Sequence, residues 1–365
     1  MKDNKQELKF SVVDVEKKYT VDPTDTVYGG GNGIVSWGAD NSLPSLMRTC
    51  YEKSTTLGAA IDQSVVFVCG DGVNVSDYAA KWKEEVNRRH MTIEELVNHI
   101  AYDIITYGNC AIQIIYNKLG LPCELYPLDV TKCRVGDGGK KVLYSKKSWS
   151  KYQTKGEEYD RFGYCDFNPE KPTQILFYNG TGVKTTYNKA PWFSSLTDVL
   201  CEIEAGNYSL NSISNGFSAK YVFNFPQTSN LTDEQKESIN TSIKDKFCGP
   251  DASNLYLLYW TDGNSGLDVK KIEADETPER FIAIKDNCKA NIYASLRMSP
   301  LLCGMSLSNT GFSTQEFSDS FKLYDRTVAE GFRKTIEMIL DDLTGIKDSA
   351  KLIPFTITFE NKEEA

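Results

Sequence analysis

Apolar residues recur along the chain with two periods, and the alternation between them orders the elements. A helical period follows Pro44, with Leu46, Met47 and Tyr51 on one face and Leu57 and Ile61 less regularly beyond. The apolar run "SVVFVCGDGV" reads as a buried strand ending in a glycine turn. The next helix carries its own start and stop signals. Thr92 and Glu95 have capping-box spacing, Ile93, Leu96, Val97, Ile100 and Ile104 form one stripe, and Gly108 suits the C-terminal cap. Short runs then predict strands at "NCAIQIIYN", "CELYPLDV", "KCRVG", "KKVLYS" and "TQILFYN". Between the last two, "KSWSKYQTKGEEYDRFGYCDFNPEKP" has neither period and reads as an exposed excursion.

The second half repeats the helical signal at greater length. A helix is predicted over 194–216 on Leu196, Val199, Leu200 and Ile203, with Leu210 and Ile213 beyond and Gly206 as a weak point. A compact insert follows. It comprises strand "KYVFNF", a helix capped by Thr232 with Gln235 and stopped by Gly249-Pro250, and strands "NLYLLYW" and "LDVKKIE" around the turn "TDGNSG". Thr277-Pro278 opens a second long helix, on Phe281, Ile284, Cys288, Ile292 and Leu296, which "RMSPLLCG" ends. After the polar stretch "MSLSNTGFS", Ser313 and Glu316 open another. Its apolar positions Phe317, Phe321, Tyr324, Val328, Phe332, Ile336 and Ile339 run at near-heptad spacing, and Gly345 closes it. "KLIPFTITFE" is a last strand, and residues 1–42 read as a polar arm with one strand, "LKFSVVDV". The whole is an α+β chain in which two long helices bracket a small α+β insert.

Composition narrows the function. The 365 residues suffice for two or three compact units, and 40% hydrophobic with 25% charged is ordinary for a folded protein. Aromatics at 12% suit large packed or subunit-facing surfaces. The net charge of −9 is the wrong sign for tight, non-specific nucleic-acid binding, but not for a surface past which DNA must slide. None of the ten cysteines has C-x-x-C spacing, and the start "MKDNKQELKF" is no signal peptide, so the cysteines read as reduced, buried thiols in a cytoplasmic setting. No apolar run reaches the ~20 residues of a membrane helix.

Candidate chemistry thins out on inspection. Gly29–Gly31 and Gly33 look like a phosphate cradle, yet no Lys follows them and Pro44 comes before any helix, so an exposed turn or a joint after the arm fits better. No G-x-S-x-G elbow is present, and His90 and His99, the only histidines, sit just before and on a helix. They do not cluster with cysteines as a zinc site requires. The carboxylate pair Glu94-Glu95 suits a helix start. Glu157-Glu158 falls in a polar loop. Asp341-Asp342 falls near a helix end, where solvation competes with a cation or partner contact. No catalytic, cofactor-binding or metal-ligating residue is assigned.

The order of parts carries more information than any one motif. "WGADNSLPSLMRTCYEKSTTLGAAIDQSVVFVCGDGV", then "AYDIITYGNCAIQIIYNKLGLPCELYPLDVTKCRV", then "INTSIKDKFCGPDASNLYLLYW" and "ANIYASLRMSPLLCGMS" resemble, in this order, the successive sections of phage portal proteins. The resemblance covers residue 34 to about 345. It implies the portal fold. Residues 1–33 would be an N-terminal arm, 34–190 the first part of an α+β wing and 191–216 one stem helix. Residues 217–276 would be a small α+β clip, 277–297 the other stem helix and 298–313 the channel loop, while 314–365 would return to the wing as a long helix and a strand. A helical crown would be absent or vestigial.

The resemblance further implies a dodecameric ring at one capsid vertex of a tailed double-stranded DNA phage, through which DNA is packaged and ejected. Implied partners are the terminase large subunit, a head-tail adaptor, the major capsid protein and a scaffold protein, with no membrane and no cofactor. The implied location is the virion, and the host cytoplasm during assembly. Ser306, Ser308, Asn309, Thr310 and Phe312 would be the residues that meet DNA in the channel loop. Lys244, Lys246, Asp262 and Asn264 would be the clip residues that dock terminase or adaptor. Two other classes stay open on the residues alone: an unrelated oligomeric structural protein, and an enzyme with an unrecognised site.

Overall fold

The computed structural model describes residues 27–28, 33–136, 138–150, 155–180, 186–214, 220–226, 238, 256–261, 268–272, 278–305 and 313–357. The chain forms two compact units. The larger joins Met1–Ser194 to Tyr293–Ala365, and the smaller, Ser195–Ile292, is inserted into it.

In the larger unit β1 (Val27–Tyr28) pairs antiparallel with β2 (Ile34–Val35). Gly29–Gly31, between these strands in the sequence, lie outside the described residues. Helix α1 (Leu43–Lys53) starts with Pro44 in its first turn and buries Leu43, Met47 and Cys50. Ser54 breaks it. Its extended backbone starts α2 (Thr55–Cys69), and its hydroxyl accepts from Leu57 N–H at 3.1 Å. The run expected as a strand is thus the end of a helix. Leu57, Ala60, Ile61, Ser64, Val65 and Val68 are buried at helical spacing while Val66 is 47% exposed. The valines misled because a short apolar run has no period of its own. Gly70, at φ 65°, then turns the chain into β3 (Gly72–Val75).

After α3 (Lys81–Glu84) comes α4 (Ile93–Tyr107), with both halves of its capping box made. Thr92 Oγ1 accepts from Glu95 N–H at 3.2 Å, and Glu95 Oε2 from Thr92 N–H at 2.9 Å. Gly108 ends it at φ 75°, where a Cβ would lie 2.6 Å from the Lys189 carbonyl oxygen. β4 (Cys110–Tyr116), β5 (Pro122–Leu128), β6 (Cys133–Val135), β7 (Lys141–Tyr144), β8 (Glu157–Arg161) and β9 (Thr173–Tyr178) form one sheet in the order β5-β4-β9-β8-β7-β6. All neighbours are antiparallel except β8 and β9.

The expected exposed excursion is partly core. β8 lies inside the sheet, and Trp149 is 2% exposed with Nε1 donating to the Lys132 carbonyl at 2.7 Å. Strand "EEYDR" showed no apolar alternation because its buried member is Arg161, whose Nη2 donates to the Phe177 carbonyl at 3.0 Å.

The smaller unit begins with α5 (Leu196–Ser214), which runs through Gly206. Its three-stranded sheet has β10 (Lys220–Pro226) between β11 (Tyr256–Thr261), parallel to it, and β12 (Asp268–Ile272), antiparallel. Helix α6 (Pro278–Ser295) has proline as its first residue, as expected, and carries the chain back to the larger unit. The helix expected between Thr232 and Gly249, with those two residues, lies outside the described residues except for Ser238, which is helical, and so does strand "LKFSVVDV".

There, α7 (Thr314–Tyr324) runs through one π turn, Asp325–Ala329, into α8 (Glu330–Thr344). Five of the seven expected stripe positions, Phe321, Tyr324, Val328, Ile336 and Ile339, are buried, while Phe317 and Phe332 are half-buried. After the extra residue of the π turn the buried face also takes in Ala329, Arg333 and Leu340. Gly345 caps α8 at φ 68°. β13 (Ala350–Ile353) then pairs antiparallel with β3, tying the end of the chain to its first third.

Candidate channel-loop site

Residues 306–312 connect two ends that are fixed in the larger unit. On the upstream side α6 finishes with Tyr293 buried. Arg297 takes φ 53°, and Met298 N–H donates to the Tyr293 carbonyl at 3.0 Å. A 3₁₀ turn, Pro300–Cys303, follows with Leu301 and Leu302 buried, and Gly304 closes it at φ 76°. Met305 N–H then donates to the Pro300 carbonyl at 3.1 Å, and its sulfur accepts from Tyr293 Oη at 3.1 Å. On the downstream side Ser313 Oγ accepts from Glu316 N–H at 3.4 Å, the cap expected from sequence. The first helix after the loop packs on the 3₁₀ turn before it, so both ends return to one place.

Below this junction lies an aromatic cluster. Phe67 on α2 meets Phe321 at 5.0 Å and Tyr324 at 5.8 Å between ring centroids, and Phe355 meets both Phe67 and Phe321. Tyr324 Oη donates to Ser64 Oγ at 2.9 Å, and burial pushes its phenol up to about 12. Arg333 locks the π turn. Its Nη2 is 2.7 Å from Asp325 Oδ1 and its Nη1 donates to the Phe67 carbonyl at 3.0 Å, with side-chain exposures of 6% for the arginine and 24% for the aspartate. Helix α8, which continues α7 beyond the π turn, is therefore joined to α2. Nothing in the sequence named Arg333, although it stands four residues after Ala329 and three before Ile336 on the buried stripe.

A second buried arginine organises "WGADN". Asn41 takes φ 63°, and its Oδ1 accepts from Trp37 N–H at 3.1 Å and from Arg134 Nε. Arg134 also donates to the carbonyls of Asn41 at 2.8 Å, Cys133 at 2.6 Å and Thr131 at 3.1 Å, between the rings of Trp37 and Trp149. Burial outweighs its neighbours and brings the guanidinium down to about 10. This stretch is an internal clamp, with Trp37 stacked on Tyr187 at 4.5 Å.

Ser306, Ser308, Asn309, Thr310 and Phe312 lie outside the described residues, and so do Lys244, Lys246, Asp262 and Asn264. The other candidates resolve into structure. His90 Nδ1 lies 2.6 Å from Glu85 Oε1 at the surface, and His99 is exposed on α4. Asp341 is neither a solvated end nor a cation site. Its carboxylate accepts from Asp348 N–H at 2.9 Å and from Ser349 N–H and Oγ at 2.8 Å, closing the turn after α8. Glu157 and Glu158 belong to β8. The nine described cysteines are free thiols, four of them buried and two, Cys123 and Cys201, exposed, so burial holds for fewer than expected. Among the described residues no cluster of three metal-ligating side chains occurs.

Comparison with known proteins decides the class. The family model described as phage portal protein matches residues 70–352. The chain belongs to the phage portal protein family. Solved portal-type structures share its fold. The neck of a native gene transfer agent particle, computed with C12 symmetry, superposes at TM-score 0.55 with 16% identity, over 87% of this chain and 85% of the other. A chain of the native gene transfer agent virion gives 0.54 and 16%, over 86% and 83%. An HK97-family phage portal protein from Corynebacterium diphtheriae gives 0.54 and 9%, over 82% and 92%. A search of curated proteins finds no match. As a portal protein the chain is a structural component of a head-tail connector, not an enzyme, and its mixed helix-and-sheet architecture is the portal fold.

Proposed function

We propose that this portal protein assembles as a dodecameric ring at a single capsid vertex and threads double-stranded DNA through its axis. The C12 symmetry in which the similar gene transfer agent neck was computed supports the ring. The observation that carries the assignment of parts is the insertion of the unit Ser195–Ile292 between two stretches of the larger one. It supports a stem of α5 and α6 bracketing a clip over 217–276, with a wing over 34–190 and 314–365 and an arm over 1–33. The fixed ends at Met305 and Ser313 support a channel loop between them, in which Ser306, Ser308, Asn309, Thr310 and Phe312 meet DNA. A net charge of −9 keeps a phosphate backbone mobile in such a channel.

The clip residues Lys244, Lys246, Asp262 and Asn264 would dock the terminase large subunit during packaging and a head-tail adaptor afterwards. The wing would meet the major capsid protein and, during assembly in the host cytoplasm, a scaffold protein. Deleting residues 306–312 tests the loop's role. Rings should still form while packaged or retained DNA falls. Loss of ring assembly would make the loop a structural element instead.

A further inference from the structure

The smaller unit holds a thiol pair that the portal role does not use. Asp198 on α5 accepts a hydrogen bond from Asn291 Nδ2 on α6 at 2.8 Å. Three residues forward on α5 is Cys201, and three residues back on α6 is Cys288. On two antiparallel helices, residues one turn beyond a facing pair face each other too. In that register the Cys201 and Cys288 thiols lie close enough for each to act on the other's ionisation. Both are free, Cys201 exposed and Cys288 only 5% exposed.

We propose that Cys201 and Cys288 are an oxidation site, closed by a small-molecule disulfide such as glutathione disulfide into a covalent staple between α5 and α6. The Cys201 thiolate, which solvent reaches, attacks one sulfur of glutathione disulfide. One glutathione thiolate leaves, and a mixed disulfide remains on Cys201. The Cys288 thiolate then attacks the Cys201 sulfur and expels the second glutathione. Two protein thiols are oxidised, one glutathione disulfide is reduced to two glutathione thiols, and the protein thiol protons pass through solvent to the departing glutathione thiolates.

Burial, then the adjoining Cys201 thiol and the Asp198 and Glu202 carboxylates, push the Cys288 thiol up to about 11, which suits the slower, resolving role. The staple would close the chain between 201 and 288 and fix the register of the two helices. Cytosolic glutathione keeps such a pair open, and an oxidising exterior closes it.

The test uses the full-length protein, incubated with glutathione disulfide, digested without reduction and read by mass spectrometry. The Cys201–Cys288 linked peptide is expected in about tenfold excess over the glutathione adduct at Cys201, because the resolving thiol is held at high effective concentration. The chain should keep monomer mobility on a non-reducing gel. C288S should trap the adduct at Cys201, and C201S should leave Cys288 reduced. Cys123, exposed on β5, serves as the comparison and should carry glutathione without linking onward. Accumulation of the Cys201 adduct in the wild-type protein without the linked peptide would overturn the proposal. So would a disulfide joining Cys201 to another copy of the chain.

Discussion

Replacing Arg333 with alanine removes a side chain that ties the π turn to α2. The geometry sets the cost. The Arg333–Asp325 pair at 2.7 Å is mostly desolvated, and the Phe67 carbonyl loses its arginine donor. Removing one partner of a buried pair costs about 3–5 kcal/mol, because the other charge stays behind unpaired. Asp325 keeps 24% of its side-chain exposure, so water recovers part of that loss and about 3 kcal/mol is the reasonable figure. In a unit of this size about 2–4 °C of Tm accompanies each kcal/mol, giving a drop of about 6–12 °C.

The assay is thermal unfolding followed by circular dichroism at one fixed protein concentration, since assembly makes Tm depend on concentration. A second variant separates charge from packing. R333M with D325N removes both charges and keeps most of the volume, and should recover at least half of the loss. A drop below about 2 °C for R333A, or no recovery in the double variant, would refute the claim that this pair holds the turn.

Asp341→Asn should cost about 1–2 kcal/mol, because the carboxylate accepts three hydrogen bonds that close the turn after α8. Burial pushes this carboxyl up, but the Ser349 and Asp348 donors outweigh it and hold it below its ordinary 3.8. A folded value below the unfolded one means the contribution is complete above about pH 5 and is lost as pH falls through the folded value, so the gap between wild type and variant should close in acid. Denaturant titrations at a series of pH values check this, and a gap that widens in acid would contradict it. Arg134→Lys should cost about 2–4 kcal/mol despite keeping the charge, because an ammonium cannot supply the fork that reaches Asn41, Thr131 and Cys133 together. An unfolding free energy within about 0.5 kcal/mol of wild type would show that the clamp needs only a cation.

Much of the fold was legible because the chain marks its own ends. The Thr92–Glu95 box, Pro278, the Ser313 cap and the glycines 108 and 345 each supply or release a particular backbone group at a helix terminus. Elements without such marks were not legible. Helix α2 hides in valines that suit strands, and its start depends on Ser54, a cap with no Glu or Gln three residues on. β8 hides because a buried arginine stands where an apolar residue would have shown the alternation. The π turn was invisible because the apolar positions before and after it each keep helical spacing, and only their joint shifts by one residue. Two further buried arginines, 134 and 333, carry the supports of "WGADN" and of the junction at Met305 and Ser313. No motif announces a guanidinium that is satisfied by carbonyls. The candidate residues of the channel loop and clip came from the portal resemblance and lie outside the described residues, whereas the fixed ends at Met305 and Ser313 come from the structure itself.

Electron microscopy of the purified full-length protein tests the central claim most directly. The account predicts closed rings, twelve-fold in class averages, with an axial hole wide enough for double-stranded DNA, about 20 Å across. A population of compact monomers or dimers, or rings whose axis is closed, would contradict it.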